Sequence, residues 1–298
     1  MEKNKKWDEM KSLFERIKKQ EIRVRYSELE HAVERNQSKI GGNPDLPLDF
    51  EWPYYSGESY DGEIKNRPLS FLAQFNMSEV SKYDTENLLP KTGMISFFYE
   101  LMSQDWGYDI KHKGCARVFY FEDCEKLKKA ALPSDLEEEC VFPEFSVSFS
   151  NELSLPGFND LHEINMEMDE LIKKDKWKWE EYYECLEEFG YEYDGWGEKT
   201  KFLGYADVIQ SPMEEECEII SRGYSTGSPE AYAMIPQNER VSIKQVKNEW
   251  IMLFQMGTIE NDSYEMMFGD CGHIYFWIRK QDLLECNFNN CWLILQCT

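Results

Sequence analysis

Hydrophobic positions along the chain follow two periods. Met10, Leu13, Phe14 and Ile17 recur at helical spacing and predict one apolar stripe on a charged helix over residues 7–19. Ile22, Val24 and Tyr26 alternate with charged residues, which predicts a short half-buried strand. Short apolar runs predict further strands at 69–75, 94–99 and 116–121, and a last one at 291–297. The stretch from Trp250 to Ile278 holds two more runs around a polar, glycine-bearing connection. Helical spacing returns in Leu161, Ile164, Met168 and Leu171, where Asp160 and Glu163 are spaced as a capping box. It returns again in Trp179, Tyr182, Tyr183 and Leu186, with Gly190 placed as a C-cap.

The connecting segments are read from their punctuation. Pro44, Pro47 and Pro53 exclude a long helix between Ser38 and Pro53, yet Ile40, Leu46, Leu48, Phe50 and Trp52 call for burial there. Residues 56–67 read as a hairpin or exposed insertion, and 124–131 as a short helix. Residues 134–158 read as extended, 214–216 as solvated charge, and 221–240 as loop.

Two stretches resemble each other. FLAQF at 71–75 aligns with MLFQM at 252–256, and GMISFFYE at 93–100 with GHIYFWIR at 272–279. The connections between glutamine and glycine are 18 and 16 residues long. Ahead of them lie GGNPDLP and LGYADVIQ, which are candidates for equivalent glycine turns. The expected architecture is α+β and internally duplicated, with two related, mostly antiparallel sheets and flanking helices in one globule. Residues 1–298 form a single domain in this reading, with halves at about 20–135 and 195–298 and a helical insert at 159–190.

SKIGGNPDLPLDFEWP, PLSFLAQFN, LLPKTGMISFFYE, FLGYADVIQ, WIMLFQM, FGDCGHIYFWI and a terminal WLILQC occur in that order. Together they resemble the YwqG-like family of bacterial proteins, from about Ser38 to the C-terminus. The resemblance implies an α+β fold with an internal duplication. It implies no activity, because the family is one of unknown function; an antitoxin or immunity role is a suggestion only. It also implies that other residues are tolerated at Cys271 and His273.

Composition narrows the classes. A chain of 298 residues, 42% hydrophobic and 15% aromatic, can bury a large core and is not of disordered type. Its net charge of −24 disfavours nonspecific nucleic-acid binding; it either attracts a basic partner or cations, or serves solubility alone. Nine cysteines, an odd number without a CxxC pair, read as reduced thiols acting as small core hydrophobes. The charged N-terminus carries no secretory signal, and no apolar run approaches the ~18 residues of a membrane span. A soluble cytoplasmic protein is expected, with no membrane partner and its oligomeric state open.

Candidate chemistry is sparse. Gln74, Gln210, Gln255 and Gln296 each end an apolar run. They either form a polar floor in a ligand cleft between the halves or hold turns by bonding to loop backbone. Asp270, Cys271 and His273 either place a thiol and an imidazole on one face of an extended chain or form a turn before a strand. The Trp/Tyr-rich helix offers either a ligand-stacking surface or a packing face. No metal-ligand, dinucleotide, P-loop or hydrolase motif is present, so neither metal nor cofactor is expected. The reading is an uncharacterised binding protein, of the immunity type, that captures a basic partner. The alternative is an enzyme or small-ligand binder with a cleft between the halves, where Trp52, Gln74, Gln255 and Asp270 would bind.

Overall fold

The computed structural model describes residues 2–28, 32–59, 62–164, 166–191, 199–262 and 264–298. Ten strands make one antiparallel sheet: β1 (Lys19–Ser27), β2 (Lys39–Ile40), β3 (Ser70–Asn76), β4 (Met94–Tyr99), β5 (Ala116–Phe121), β6 (Phe145–Ser154), β7 (Thr200–Phe202), β8 (Trp250–Met256), β9 (His273–Arg279) and β10 (Trp292–Gln296). From edge to edge the order is β10-β9-β8-β7-β1-β6-β2-β3-β4-β5.

The two central strands tie the arms together. β1 and β6 pair along their length, from Lys19 opposite Ser154 to Ser27 opposite Ser146. On its other side β1, near the N-terminus, pairs with β7 of the C-terminal arm, while β6 pairs with β2 of the N-terminal arm. The expectation of two related sheets therefore gives way to one. Each central strand satisfies the backbone edge that a separate sheet would have left open.

The arms run in matching registers. Gln74 sits opposite Ser96 and Gln255 opposite Tyr275. β3 is irregular between Phe71 and Ala73, and β8 between Met252 and Phe254. Lys39 lies opposite Gln74, as Lys201 lies opposite Gln255.

The sheet curls so that its inner faces meet. Phe75 lies 5.2 Å from Phe254, Phe97 4.5 Å from Phe254 and 4.9 Å from Phe276, between ring centroids. Each arm also buries a patch on its outer face. Leu69, Phe71 and Phe98 pack under Phe50 and Trp52 on one. Trp250, Met252 and Trp277 pack under Met213 and Cys217 on the other.

Helices cover the remainder: α1 (Glu2–Ile17), α2 (Met166–Asp175), α3 (Trp179–Phe189), α4 (Glu214–Ser221) and α5 (Gln237–Val246). Met10, Leu13 and Phe14 of α1 bury against Met168, Tyr182, Cys185 and Leu186. The aromatic face of α3 therefore packs on a helix, and the left-handed Gly190 closes it. The side chain of Glu163, half of the expected capping box, lies outside the described residues.

Several segments differ from the sequence reading. Residues 134–158, expected as extended, contain the ten-residue strand β6, whose serine-rich alternation gave no sign of sheet pairing. Residues 124–131 form one 3-10 turn and a two-residue strand instead of an α-helix. The segment 214–246, of which 214–216 were expected as solvated charge and 221–240 as loop, holds α4, α5 and a short helix at Pro229–Ala233 capped by Ser228. Cys217, Ile219, Ile220 and Ile243 are buried there, so burial overrides the weak periodicity of a charged segment. The 56–67 segment is a hairpin, pairing Tyr54–Glu58 with Ile64–Pro68.

Candidate functional site

Of the expected glutamines, Gln74, Gln255 and Gln296 are buried, each under its own loop, and Gln210 is exposed. Their neighbours Phe75 and Phe254 point into the aromatic core, so Gln74 and Gln255 face outward on opposite arms. Gln74 Nε2 donates to Gln37 O at 3.0 Å and to Asp45 Oδ2 at 2.7 Å, and Oε1 accepts from Asp45 N at 2.7 Å. Gln255 Nε2 donates to Lys199 O at 3.0 Å and Asp207 Oδ2 at 2.9 Å, and Oε1 accepts from Asp207 N at 2.9 Å. Every amide hydrogen is spent on holding a turn. Gln296 does the same for Ile209, Gln210 and Ser211, and Gln210 donates to Cys297 O.

The other expected residues are also dispersed. Trp52 donates to Leu69 O at 2.9 Å and packs edge-on to Phe98. Asp270 is exposed, and its carbonyl accepts from Thr298. Cys271 sits exposed in a left-handed turn at φ 49°, whereas His273 is buried at the start of β9. The turn breaks the extended geometry that a Cys–His pair on one face requires.

The structure opens a different place. Where the edge strands β5 and β10 approach, a cavity of about 430 Å³ is lined by residues of both arms. One wall comes from the segment between β4 and β5, which straps across the seam. Leu295 N donates to Trp106 O at 3.0 Å and Trp292 Nε1 to Gly107 O at 2.8 Å. Gly107 has φ +84°, and a Cβ there would lie 1.9 Å from Leu293 O, so only glycine permits this approach. Asp109 caps the following turn by accepting from Lys111 N. His112 accepts at Nδ1 from Gly107 N, and its Nε2 lies 3.4 Å from Asp105, which also accepts from Tyr55. Burial pushes His112 below its ordinary pKa, against the pull of Asp105. Both nitrogens are thus used in bracing the strap.

The opposite wall is organised by Glu218 on α4, which is 2% exposed. Its carboxylate accepts from Arg222 Nε at 2.7 Å, from Trp250 Nε1 at 2.9 Å and from Arg279. Burial pushes this carboxyl up, but the three donors outweigh that and hold it below the usual carboxylate range. Arg222 reaches on to Glu239 and Ser242, and Arg279 stacks 4.8 Å over the Trp250 ring. Lys113 and Arg117 line the cavity from the strap side and have no ion-pair or side-chain hydrogen-bond partner among the described residues. Cys115 and Cys291 also line it, and burial raises both thiols well above their ordinary pKa.

Trp52, Gln74, Gln255 and Asp270 are absent from this lining. Lys113, Arg117, Glu218, Arg222 and Arg279 were missed because they are scattered along the chain and form no local motif. No group of three or more His, Cys, Asp or Glu is set to hold a metal among the described residues, and no helix among them is long and apolar enough to cross a membrane.

The fold and site define an α+β protein with one curled sheet and a cationic cavity at its seam. Residues 38–297 match the family described as Domain of unknown function (DUF1963), and the chain belongs to that family. No curated protein matches it.

Proposed function

We propose that the protein binds a small organic anion in the seam cavity. The observation that carries this reading is a reversal of charge. In a chain with 57 acidic and 33 basic residues, the cavity gathers, among the described residues, Lys113, Arg117, Arg222 and Arg279 against Glu218 and Asp282. Concave cationic sites with low-dielectric walls focus potential and concentrate anions. Phe119, Trp250, Phe288 and Trp292 supply apolar wall, and the volume falls within the range of small-molecule sites. The protonated thiols and the occupied imidazole of His112 favour binding over nucleophilic catalysis. The test is a titration with small aromatic anions followed by tryptophan fluorescence and thermal shift. Silence from every anion would remove the reading.

The matching registers and turn-holding glutamines support descent from a doubled module whose first strands, β1 and β6, exchanged places. On this reading, KIGGNPD at 39–45 and KFLGYAD at 201–207 are the same turn. That is in keeping with the resemblance to the YwqG-like family and with a cytoplasmic protein of reduced thiols. Capture of a basic partner is a second reading, favoured by the net charge of −24 once the cations of the cavity are set apart. Its test is co-expression with basic proteins, where binding insensitive to salt would count against it.

A further inference from the structure

We infer that the anionic group taken by the seam cavity is a dianion, of the phosphate-monoester kind, gripped between Lys113 and Arg117 and joined to a flat ring. The inference rests on the seam cavity being a ligand site. Its grounds are how the charges are already spent. Arg222 and Arg279 are held by Glu218, with Glu239 and Glu249 behind them. Their charge is already compensated, and they form a fixed wall. Lys113 and Arg117 have no carboxylate of their own among the described residues and stand on the facing wall. Asp282 is the remaining lining carboxylate, and its Oδ1 is tied to the amides of Asn287 at 2.8 Å and Asn290 at 3.1 Å.

The lining as a whole carries four cations against two carboxylates. Lys113 and Arg117 are the two of these cations without a carboxylate partner among the described residues, and two unpaired cations match the two charges of a dianion where a monoanion engages one of them in full. Arg117 can fork onto two oxygens of such a group, and Lys113 adds a point charge. The ring follows from the aromatic wall. Trp292 lines the cavity, is only half-buried and is fixed through its Nε1 to Gly107 O, so it offers a rigid, pre-oriented surface.

The test is calorimetric titration of the full chain with phenyl phosphate, isophthalate, benzoate and inorganic phosphate. Phenyl phosphate should bind at least about tenfold more tightly than benzoate and than inorganic phosphate, the loss expected for one charge-assisted hydrogen bond or one ring contact. Arg117→Gln should weaken phenyl phosphate about tenfold with little effect on benzoate, and Arg117→Lys should recover part of it. Affinity for phenyl phosphate should fall as pH drops through about 6, where a phosphate monoester gains its second proton. Isophthalate binding more tightly than phenyl phosphate would keep the dianion and assign it to a dicarboxylate. Benzoate binding as tightly as phenyl phosphate overturns the dianion but leaves the cavity as an anion site. Binding by none of the four overturns both. Because Arg117 is exposed on an edge strand, its variants should melt like the parent, and a melt on each confirms that the loss is local.

Discussion

Gln74 and Asp45 exchange two hydrogen bonds, amide to carboxylate and backbone N–H to amide oxygen, both at 2.7 Å. Gln255 and Asp207 repeat the exchange on the other arm, both at 2.9 Å. A buried lysine stands beside each pair. Lys39 bonds Glu144 at 2.8 Å, and Lys201 bonds Glu21 and Asp207 at 2.8 Å each. Burial opposes the charge on Asp207, but Lys201 and Lys199 outweigh it and bring its pKa down to about 2. These clusters fasten the glycine turns that follow β2 and β7 to the outer face of the sheet.

Gln255→Leu leaves the Asp207 backbone N–H and the Lys199 carbonyl without their partner and should cost about 1–3 kcal/mol or more. Gln74→Leu should cost a similar amount. Because the two clusters share no residue, the double variant should lose roughly the sum. Urea unfolding measures all three, and a single variant as stable as the parent would contradict a turn-fastening role.

His273 is buried with neither ring nitrogen hydrogen-bonded among the described residues, and burial lowers its pKa to about 4. The unfolded chain takes up the proton near 6.5, so stability is complete above that pH and declines as pH falls toward 4. At ~1.36 kcal/mol per unit, the loss is on the order of 3 kcal/mol. Met94 holds the matching register position in β4, so His273→Met should flatten the fall in melting temperature between pH 6.5 and 4.5. An unchanged pH profile in that variant would sink the assignment.

Gly107 and Gly190 separate two costs of a left-handed backbone. Both have positive φ, but an added Cβ meets Leu293 O at 1.9 Å in the first and nothing within 4 Å in the second. Gly190→Ala should cost about 1 kcal/mol from strain alone. Gly107→Ala must also push the strap off β10, and should both destabilise more and abolish anion-induced thermal shifts. Equal losses in the two variants would show that the strap does not form the cavity wall.

Glu218→Gln exchanges the acceptor of two arginines and a tryptophan for an amide with one acceptor oxygen. Because both arginines keep other partners and some solvent, the expected loss is about 1–3 kcal/mol. It should be complete above the ordinary carboxylate pKa of about 4.5 and shrink as pH falls through the lower pKa of the folded carboxylate. Thermal melts of the parent and the variant followed from pH 7 into acid measure this, and a difference that never shrinks would contradict the ion-pair account.

The apolar runs of β3, β4, β5, β8, β9 and β10 were legible in the sequence because each is short, dense and bounded by turn residues. β6 was not, because Ser146, Ser148 and Ser150 leave it without an apolar run. That omission hid the exchange of central strands and made two sheets seem natural. The glutamines were recognised as special, and their turn-holding alternative matches the hydrogen bonds that they make. The cleft expected from the sequence was assigned to Trp52, Gln74, Gln255 and Asp270, and none of them lines the seam cavity. Lys113, Arg117, Arg222 and Arg279 converge only once the sheet curls and brings β5 to β10. Such closure is a tertiary property that no local spacing records.

The most direct test is a crystal of the protein grown with a small aromatic phosphate such as phenyl phosphate. The account predicts ligand density in the seam cavity, with the anionic oxygens within hydrogen-bonding reach of Lys113 and Arg117 and the ring against Trp292. A cavity that stays without the ligand at concentrations saturating in solution, or density seated elsewhere, would contradict it.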